Sequence, residues 1–196
     1  DTKSVLDFLK EPESEALMQE GRAVEDWARE EVLQTLKVFN AKHATEISKE
    51  WGIEVPPLSE KEFDDYVGMG QTTLIRLSEF VHSKLLPLVE AEAERVRQEL
   101  KNASAEDQGV LQERLKKLDE LTSVVLYQRW LRPSRNPEIP SLSEPADDGR
   151  PNLLKIDVQG LLSRLMHIRP SSRITLLTGK LTDADVLELL WLGEGR

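Results

Sequence analysis

Cysteine is absent from this 196-residue sequence. Without thiol groups, the chain forms neither disulfide bonds nor metal sites with thiolate ligands. Proteins of reducing compartments generally lack disulfides. We therefore expect an intracellular protein of the cytoplasm or the nucleus.

Aromatic residues and long apolar runs are also scarce. Aromatic side chains make up 5% of the sequence, whereas 39% of the residues are hydrophobic and 32% are charged. This composition is typical of helices that bury one stripe and expose a wide charged face, and runs of β-branched residues are nearly absent. The sequence therefore predicts an all-α fold. No apolar run approaches the ~20 residues that a membrane span needs.

An excess of positive charge is missing as well. The chain has 36 acidic and 26 basic residues, a net charge of -10, and the two signs are mostly interleaved. Such a surface repels nucleic-acid phosphates and anionic membranes, so we expect neither as a partner. The local exception is Arg129, Arg132 and Arg135 beside Trp130. We interpret these arginines as a helix C-terminus, where positive charge complements the helix dipole.

Apolar residues at helical spacing dominate residues 71–131, around which the rest of the chain is organised. Spacings of three and four predict two long helices folded back as a hairpin, each roughly 40 to 45 Å long at 1.5 Å per residue. Ser104 is expected to cap the second arm, and Pro87 to kink the first. The stripes consist of Leu74, Leu77, Val81, Leu85 and Leu88, then Leu111, Leu115, Leu118, Thr122 and Val125, the latter close to a coiled-coil seam.

A second helical stretch precedes this hairpin. Residues 13–51 are almost continuously helix-forming, and Pro12 suits the first position of that helix. Gly52 and the two prolines after it end the run. Ser59 and Glu62 have the spacing of a capping box, which predicts the start of the next helix.

Proline divides the sequence into three parts. Residues 132–151 hold five of the ten prolines and show no apolar periodicity, which predicts a Pro-rich linker or mobile loop. We predict an elongated antiparallel helical bundle over 1–131. A small helical C-terminal unit is predicted over 152–196.

One motif suggests metal chemistry. Glu79 and His82 are three residues apart on a predicted helix, as in the carboxylate-bridged di-iron bundles. Such centres need a second motif of the same kind, but His43 follows Asn40 at that spacing and His167 follows Arg164. We therefore expect no metal site and no cofactor. The alternative is a helical-bundle metalloenzyme that uses Glu79 and His82.

Other catalytic chemistry has little support in the sequence. A Ser/His/Asp arrangement would require His43, His82 or His167 to meet a serine on a strained turn, and no such signature is present. His43 and His82 lie on or beside apolar stripes, so we interpret them as hydrogen-bonded core histidines. We predict that the chain is not an enzyme, and we assign no catalytic residue.

The last predicted helix, which Thr182 is expected to cap, is apolar nearly all round. One intramolecular face does not require so many apolar residues. Either the helix is buried in its own bundle or it contacts another subunit, with Trp191 as the anchor. The predicted partner-binding residues are Val186, Leu187, Leu189, Leu190 and Trp191.

These features favour a non-catalytic protein–protein interaction module, an adaptor or scaffold subunit of a larger intracellular complex. Its expected partners are other protein subunits, including a second copy of this chain. A further hypothesis is regulation by phosphorylation of serines in arginine-flanked stretches. These serines are Ser134, Ser141, Ser143, Ser171 and Ser172.

Overall fold

The computed structural model of the chain describes residues 2–139, 149–168 and 182–192. Over these ranges the secondary structure is helical and contains no strand, which confirms the all-α prediction. None of the helices in these ranges has the length and apolarity needed to cross a lipid bilayer. The α-helices are α1 (Thr2–Leu9), α2 (Pro12–Val38), α3 (Ala44–Trp51), α4 (Glu60–Val67), α5 (Leu74–Lys101), α6 (Ala105–Asp119), α7 (Ser123–Leu126), α8 (Val158–Ile168) and α9 (Asp183–Leu192).

The chain divides into two compact units. Unit I lies within residues 28–145 and contains α3 to α7. Unit II lies within residues 1–27 and 146–196 and contains α1, α8 and α9. Helix α2 contributes residues to both units.

The helical run predicted before the hairpin extends from Pro12 to Trp51, with Pro12 as its first residue. Gly52 ends the run in the left-handed conformation, with φ at 68°, where glycine carries no steric penalty. One turn of this run, Phe39–His43, is π-helical. The π-turn accompanies a side-chain clamp. The Asn40 amide donates to the Leu58 carbonyl at 2.8 Å and accepts from the Leu58 N–H at 2.9 Å.

The predicted capping box is confirmed at the start of α4. The Ser59 hydroxyl accepts from the Glu62 N–H, and the Glu62 carboxylate accepts from the Ser59 N–H. The same carboxylate also accepts from Lys84 on α5 at 2.6 Å. These bonds, first that from Lys84 and then those from Ser59, lower the pKa of Glu62 from 4.5 to about 2. The capping-box residue Glu62 therefore also connects α4 to α5.

The predicted hairpin is present, but its two arms differ in length. Helix α5 runs through Pro87 without interruption, and α6 packs against it after the predicted cap at Ser104. At 1.5 Å per residue, α5 is about 42 Å long and α6 only about 22 Å. The second arm stops at Asp119 because the Thr122 side chain caps a new helix by accepting from the Val125 N–H. The expectation of two matched arms is therefore wrong.

A single apolar core fills unit I. Its largest fully buried side chains are Phe39, Phe63, Phe80, Leu36, Ile47, Leu77, Leu85, Leu118, Leu126 and Leu131. A second π-turn, Tyr127–Leu131, follows α7 and places Trp130 and Leu131 in the core. The chain then continues into a short 3₁₀ helix, Pro133–Arg135. The core is thus built from elements on both sides of the hairpin.

The start of the predicted linker is part of unit I. Asn136 and Ile139 are buried, with 1% and 7% of their surface exposed. Residues 140–148 of that segment lie outside the described residues. The predicted boundaries of the bundle, linker and C-terminal unit therefore stay a prediction.

Unit II combines the first residues of the chain with α8 and α9. Arg164 of α8 donates two hydrogen bonds to the Glu20 carboxylate, at 2.7 and 3.2 Å, and this pairing lowers the pKa of Glu20. Helix α8 begins where the Asp157 carboxylate accepts from the Gly160 N–H at 2.7 Å. A 3₁₀ turn, Asn152–Lys155, precedes it, and α9 packs on α8.

Candidate functional site

Helix α9 carries the five residues predicted to bind a partner. Three of them are strongly exposed. Leu187 has 67% of its surface exposed, Leu190 has 53% and Trp191 has 80%. Since they occupy positions i, i+3 and i+4, they share one face of the helix. This face, made of Leu187, Leu190 and Trp191, is called the α9 apolar face below.

The other two predicted residues lie elsewhere on the same helix. Val186 and Leu189 are half-buried and three residues apart, on a side that does not coincide with the α9 apolar face. Helix α9 packs on α8 within unit II. The structure thus divides the five residues into an exposed set and a half-buried set, and their role in partner binding stays a prediction.

The start of α9 follows from local sequence. The Thr182 carbonyl accepts from the Val186 N–H at 3.0 Å, directly before the first residue of the helix. The helix carries Asp183, Asp185 and Glu188 and no basic residue. Acidic residues in the first turn complement the helix dipole. The polar positions of α9 are consequently of one sign.

Glu79 and His82 of the alternative metal hypothesis lie on α5. The Glu79 carboxylate accepts from Arg76 at 3.0 Å, one turn earlier on the same helix. His82 is half-buried. Within the described ranges, no three histidine or acidic side chains come together in a way that could hold a metal ion. Glu79 is therefore engaged in an ion pair on the surface of its own helix.

His43 lies in a buried polar network that the sequence did not predict in detail. Only 3% of its surface is exposed, which confirms the interpretation as a core histidine. Its Nε2 atom lies 2.9 Å from the Asn136 Oδ1 atom. The Asn136 amide nitrogen donates to the carbonyls of Trp130 and Arg132, at 2.7 and 3.3 Å. Because this fixes the orientation of the amide, the Nε2 atom of His43 is the donor to Oδ1.

Glu46 completes this network from the other side of the imidazole ring. Its Oε2 atom lies 3.3 Å from His43 Nδ1 and accepts from Trp130 Nε1 at 3.0 Å. Burial raises the pKa of the carboxyl, but its contacts with His43 and Trp130 outweigh this effect and lower the pKa of Glu46. The network links the two π-turns through side chains that are far apart in sequence.

Trp51 and Trp130 meet edge to face beside this network. Their ring centroids are 5.4 Å apart, and the Arg129 guanidinium lies 4.4 Å from the Trp130 centroid and 5.1 Å from that of Trp51. Arg129 also donates two hydrogen bonds to Glu50, at 2.9 and 2.7 Å. The Trp51 N–H donates to the Lys117 carbonyl at 3.0 Å. The arginines near Trp130 thus include one that holds α3 to the second π-turn, and the sequence interpretation missed this role.

A cleft of about 500 Å³ opens beside Trp51, between the ends of α3 and α6. Four basic and three acidic residues line its walls. Its cations are partly engaged in ion pairs, since Arg114 contacts Glu92 and Lys117 contacts Glu50. Trp51 itself is 4% exposed, so it offers no open aromatic surface to a ligand. The cleft therefore lacks a cluster of side chains of one charge that could bind a charged ligand.

Of the serines proposed for phosphorylation, Ser134 is exposed in the 3₁₀ turn after Arg132. The other four, at 141, 143, 171 and 172, lie outside the described residues. Phosphorylation therefore stays a prediction for all five.

Comparisons with protein-family models, with curated proteins and with solved structures yield no match for this chain.

Proposed function

We propose that this chain is a non-catalytic protein–protein interaction module, an adaptor or scaffold subunit of a larger intracellular complex, which docks its partner through the α9 apolar face. The observation that carries the proposal is the exposure of Leu187, Leu190 and Trp191 on one face of a single helix. Anchors at i, i+3 and i+4 are the pattern by which amphipathic helices are recognised in grooves.

The energetics of burial favour a contact at this face. Removing one leucine side chain from water contributes ~1.5–3 kcal/mol, and the α9 apolar face holds two leucines and a tryptophan. Tryptophan is enriched among the residues that dominate interface energetics, because it is large and rigid. Trp191 is the most exposed of the three and is therefore the proposed anchor.

Two of the side chains that the sequence offers for chemistry are engaged in other contacts, which supports a non-catalytic role. His43 is buried against Asn136 and Glu46, and Glu79 is paired with Arg76. A group that is fully hydrogen-bonded inside a core positions structural elements rather than a substrate. We therefore place the function on the surface and not in the core.

Site-directed photo-crosslinking in the native cell extract tests the docking surface. The variant Leu190→p-benzoylphenylalanine should capture one defined partner, whereas the same group at Val110, which is exposed on α6 of unit I, should not. The captured protein is then purified and its affinity is measured by calorimetry. Trp191→Ala should weaken binding at least tenfold, and Val124→Ala, which removes an exposed apolar group from α7, should leave it unchanged. Equal capture at both positions, or equal affinity for both alanine variants, would contradict the proposal.

A further inference from the structure

We infer that the α9 apolar face is built for a basic amphipathic helix of a different protein, and not for a second copy of this chain. The inference rests on the proposed function and adds the chemistry of the partner. It combines the exposure of the three apolar side chains with the charge of the helix that carries them.

The geometry of the face sets what an occupant must offer. Leu187 and Trp191 are four residues apart, so their Cα atoms are separated by about 6 Å along the helix axis. An exposed ridge of one helical turn packs into the groove between side chains of another helix, where apolar residues recur at spacings of three and four. The occupant is therefore expected to present its own apolar stripe of one to two turns.

The charge of α9 determines which charge is expected on the partner's residues beside its apolar stripe. The helix has three acidic residues and no basic residue. In the helix register, position 183 lies one turn before Leu187 on the same face, and position 188 lies three residues before Trp191. The whole chain carries a net charge of -10. Lysine or arginine flanks on the partner complement these positions and accelerate encounter.

A second copy fits the same surface poorly. In a symmetric dimer, the same patch meets itself, so the acidic positions 183 and 188 of one copy would approach those of the other, whereas position 185 lies on the opposite side of the helix. Since α9 offers no basic residue to pair with them, the approach is opposed by like charge. The leucines and the tryptophan suit self-association, but the charges on the same helix oppose it. A partner with basic residues covers the apolar side chains and also pairs with the acidic positions of α9.

Fluorescence anisotropy with labelled synthetic peptides tests the inference on the full chain. The first probe is an amphipathic helix of about 18 residues, or five turns, with leucine at every third and fourth position and lysine elsewhere. The second probe has glutamate in place of lysine, and the third has serine in place of leucine. The leucine–lysine peptide should bind at least tenfold more tightly than either of the others.

Charge reversal on α9 provides the sharper comparison. The double variant Asp183→Lys with Glu188→Lys should lose the preference for the leucine–lysine peptide and gain affinity for the leucine–glutamate peptide. The control Glu90→Lys with Glu113→Lys makes the same change in net charge at exposed positions on α5 and α6. This control should keep the wild-type preference, which separates a local effect of α9 from the attraction of any cation to an acidic protein. Trp191→Ala should weaken binding of the leucine–lysine peptide at least tenfold.

Several outcomes would overturn the inference, and they differ from failure of the proposed function. Equal binding of the lysine and glutamate peptides, or no Trp191-dependent binding of any peptide, would refute the basic partner. Crosslinking from position 190 would then decide the proposed function by itself. A dimer in sedimentation equilibrium that dissociates on Trp191→Ala would show that the occupant is a second copy. Loss of preference in the α5–α6 charge control would show that net charge alone governs binding.

Discussion

Trp51 and Trp130 of unit I and Trp191 of unit II lie in opposite environments. In unit I, Trp51 and Trp130 are each 4% exposed, and both indole N–H groups have acceptors, the Lys117 carbonyl and Glu46. In unit II, Trp191 is 80% exposed on a helix that also exposes Leu187 and Leu190. A tryptophan with a satisfied N–H and a packed ring holds a core together, whereas an exposed one beside other apolar groups indicates a contact surface. The comparison supports our proposal that the contact surface lies in unit II and not in unit I.

The largest effect on the free energy of unfolding is expected when the buried side chain of Trp130 is truncated. Trp130→Ala should lower the free energy of unfolding by about 3–5 kcal/mol, because it leaves a cavity in the core and removes the contacts with Trp51 and Arg129. Urea denaturation followed by circular dichroism measures this change. A loss below about 1 kcal/mol, the scale of an average substitution, would contradict the contrast between the two units.

Removal of the amide that joins His43 to the second π-turn should have the next largest effect. Asn136→Ala leaves the His43 Nε2 donor and the Trp130 carbonyl without their buried partner, and this costs about 1–3 kcal/mol of unfolding free energy. Gln128→Ala, an exposed amide in the same π-turn, is the matched control and should change stability by less than 0.5 kcal/mol. Equal effects of the two substitutions would mean that the buried amide of Asn136 contributes no more to the free energy of unfolding than the exposed amide of Gln128.

Acid should destabilise unit I through Glu62. Its pKa is lowered in the folded chain from 4.5 to about 2, so its carboxylate contributes stability above pH 4.5. That contribution is lost as the pH falls from 4.5 through about 2, because over this range the unfolded chain binds the proton more readily than the folded chain does. Glu62→Gln should therefore flatten the part of the stability–pH profile between those values.

Lys84→Gln separates the causes of this shift. The Lys84 ammonium is the main cause of the low pKa of Glu62, so its removal should raise that pKa toward 4.5 while the Ser59 cap remains. Titration of the Glu62 carboxyl by NMR measures the change. An unchanged pKa would show that the capping box alone holds the carboxylate.

The smallest effect on folding stability is expected when the exposed side chain of Trp191 is truncated. Trp191→Ala should change the free energy of unfolding by less than 0.5 kcal/mol, since little of its surface leaves water on folding. Its effect should appear in partner binding instead. The melting temperature and the mass in solution of the two proteins give the measurement. A drop of several degrees in the melting temperature would show that α9 is covered within its own chain.

Local sequence was sufficient for the helices and many of their ends. The capping box of Ser59 and Glu62, the cap at Ser104 and the stop at Gly52 were all predicted. These features depend on hydrogen bonds between residues only a few positions apart, so a short window of sequence contains all the information they need. The break before Thr122 was missed, although threonine is a good cap, because the apolar spacing continues across it.

The contacts between distant residues could not be predicted in the same way. Asn136 and His43 are 93 positions apart, and Trp130 and Glu46 are 84 apart. One partner of each bond, His43 or Trp130, lies in a π-turn, and neither turn has a sequence pattern of its own. Asn136 also lies in a Pro-rich segment whose composition indicates a linker.

The sequence alone therefore determined the all-α class, the acidic surface and an apolar last helix, because composition and periodicity are properties of the chain itself. It did not determine which tryptophan is covered. Trp130 and Trp191 each follow a helical stretch with leucine and valine nearby, and local pattern does not distinguish them. Trp130 is buried because α3 supplies Trp51 and Glu46 against it. Trp191 is exposed because no element of the described chain covers it as closely as α3 covers Trp130. Burial depends on what other segments bring to a side chain, so only the tertiary structure decided which ring is core and which is surface.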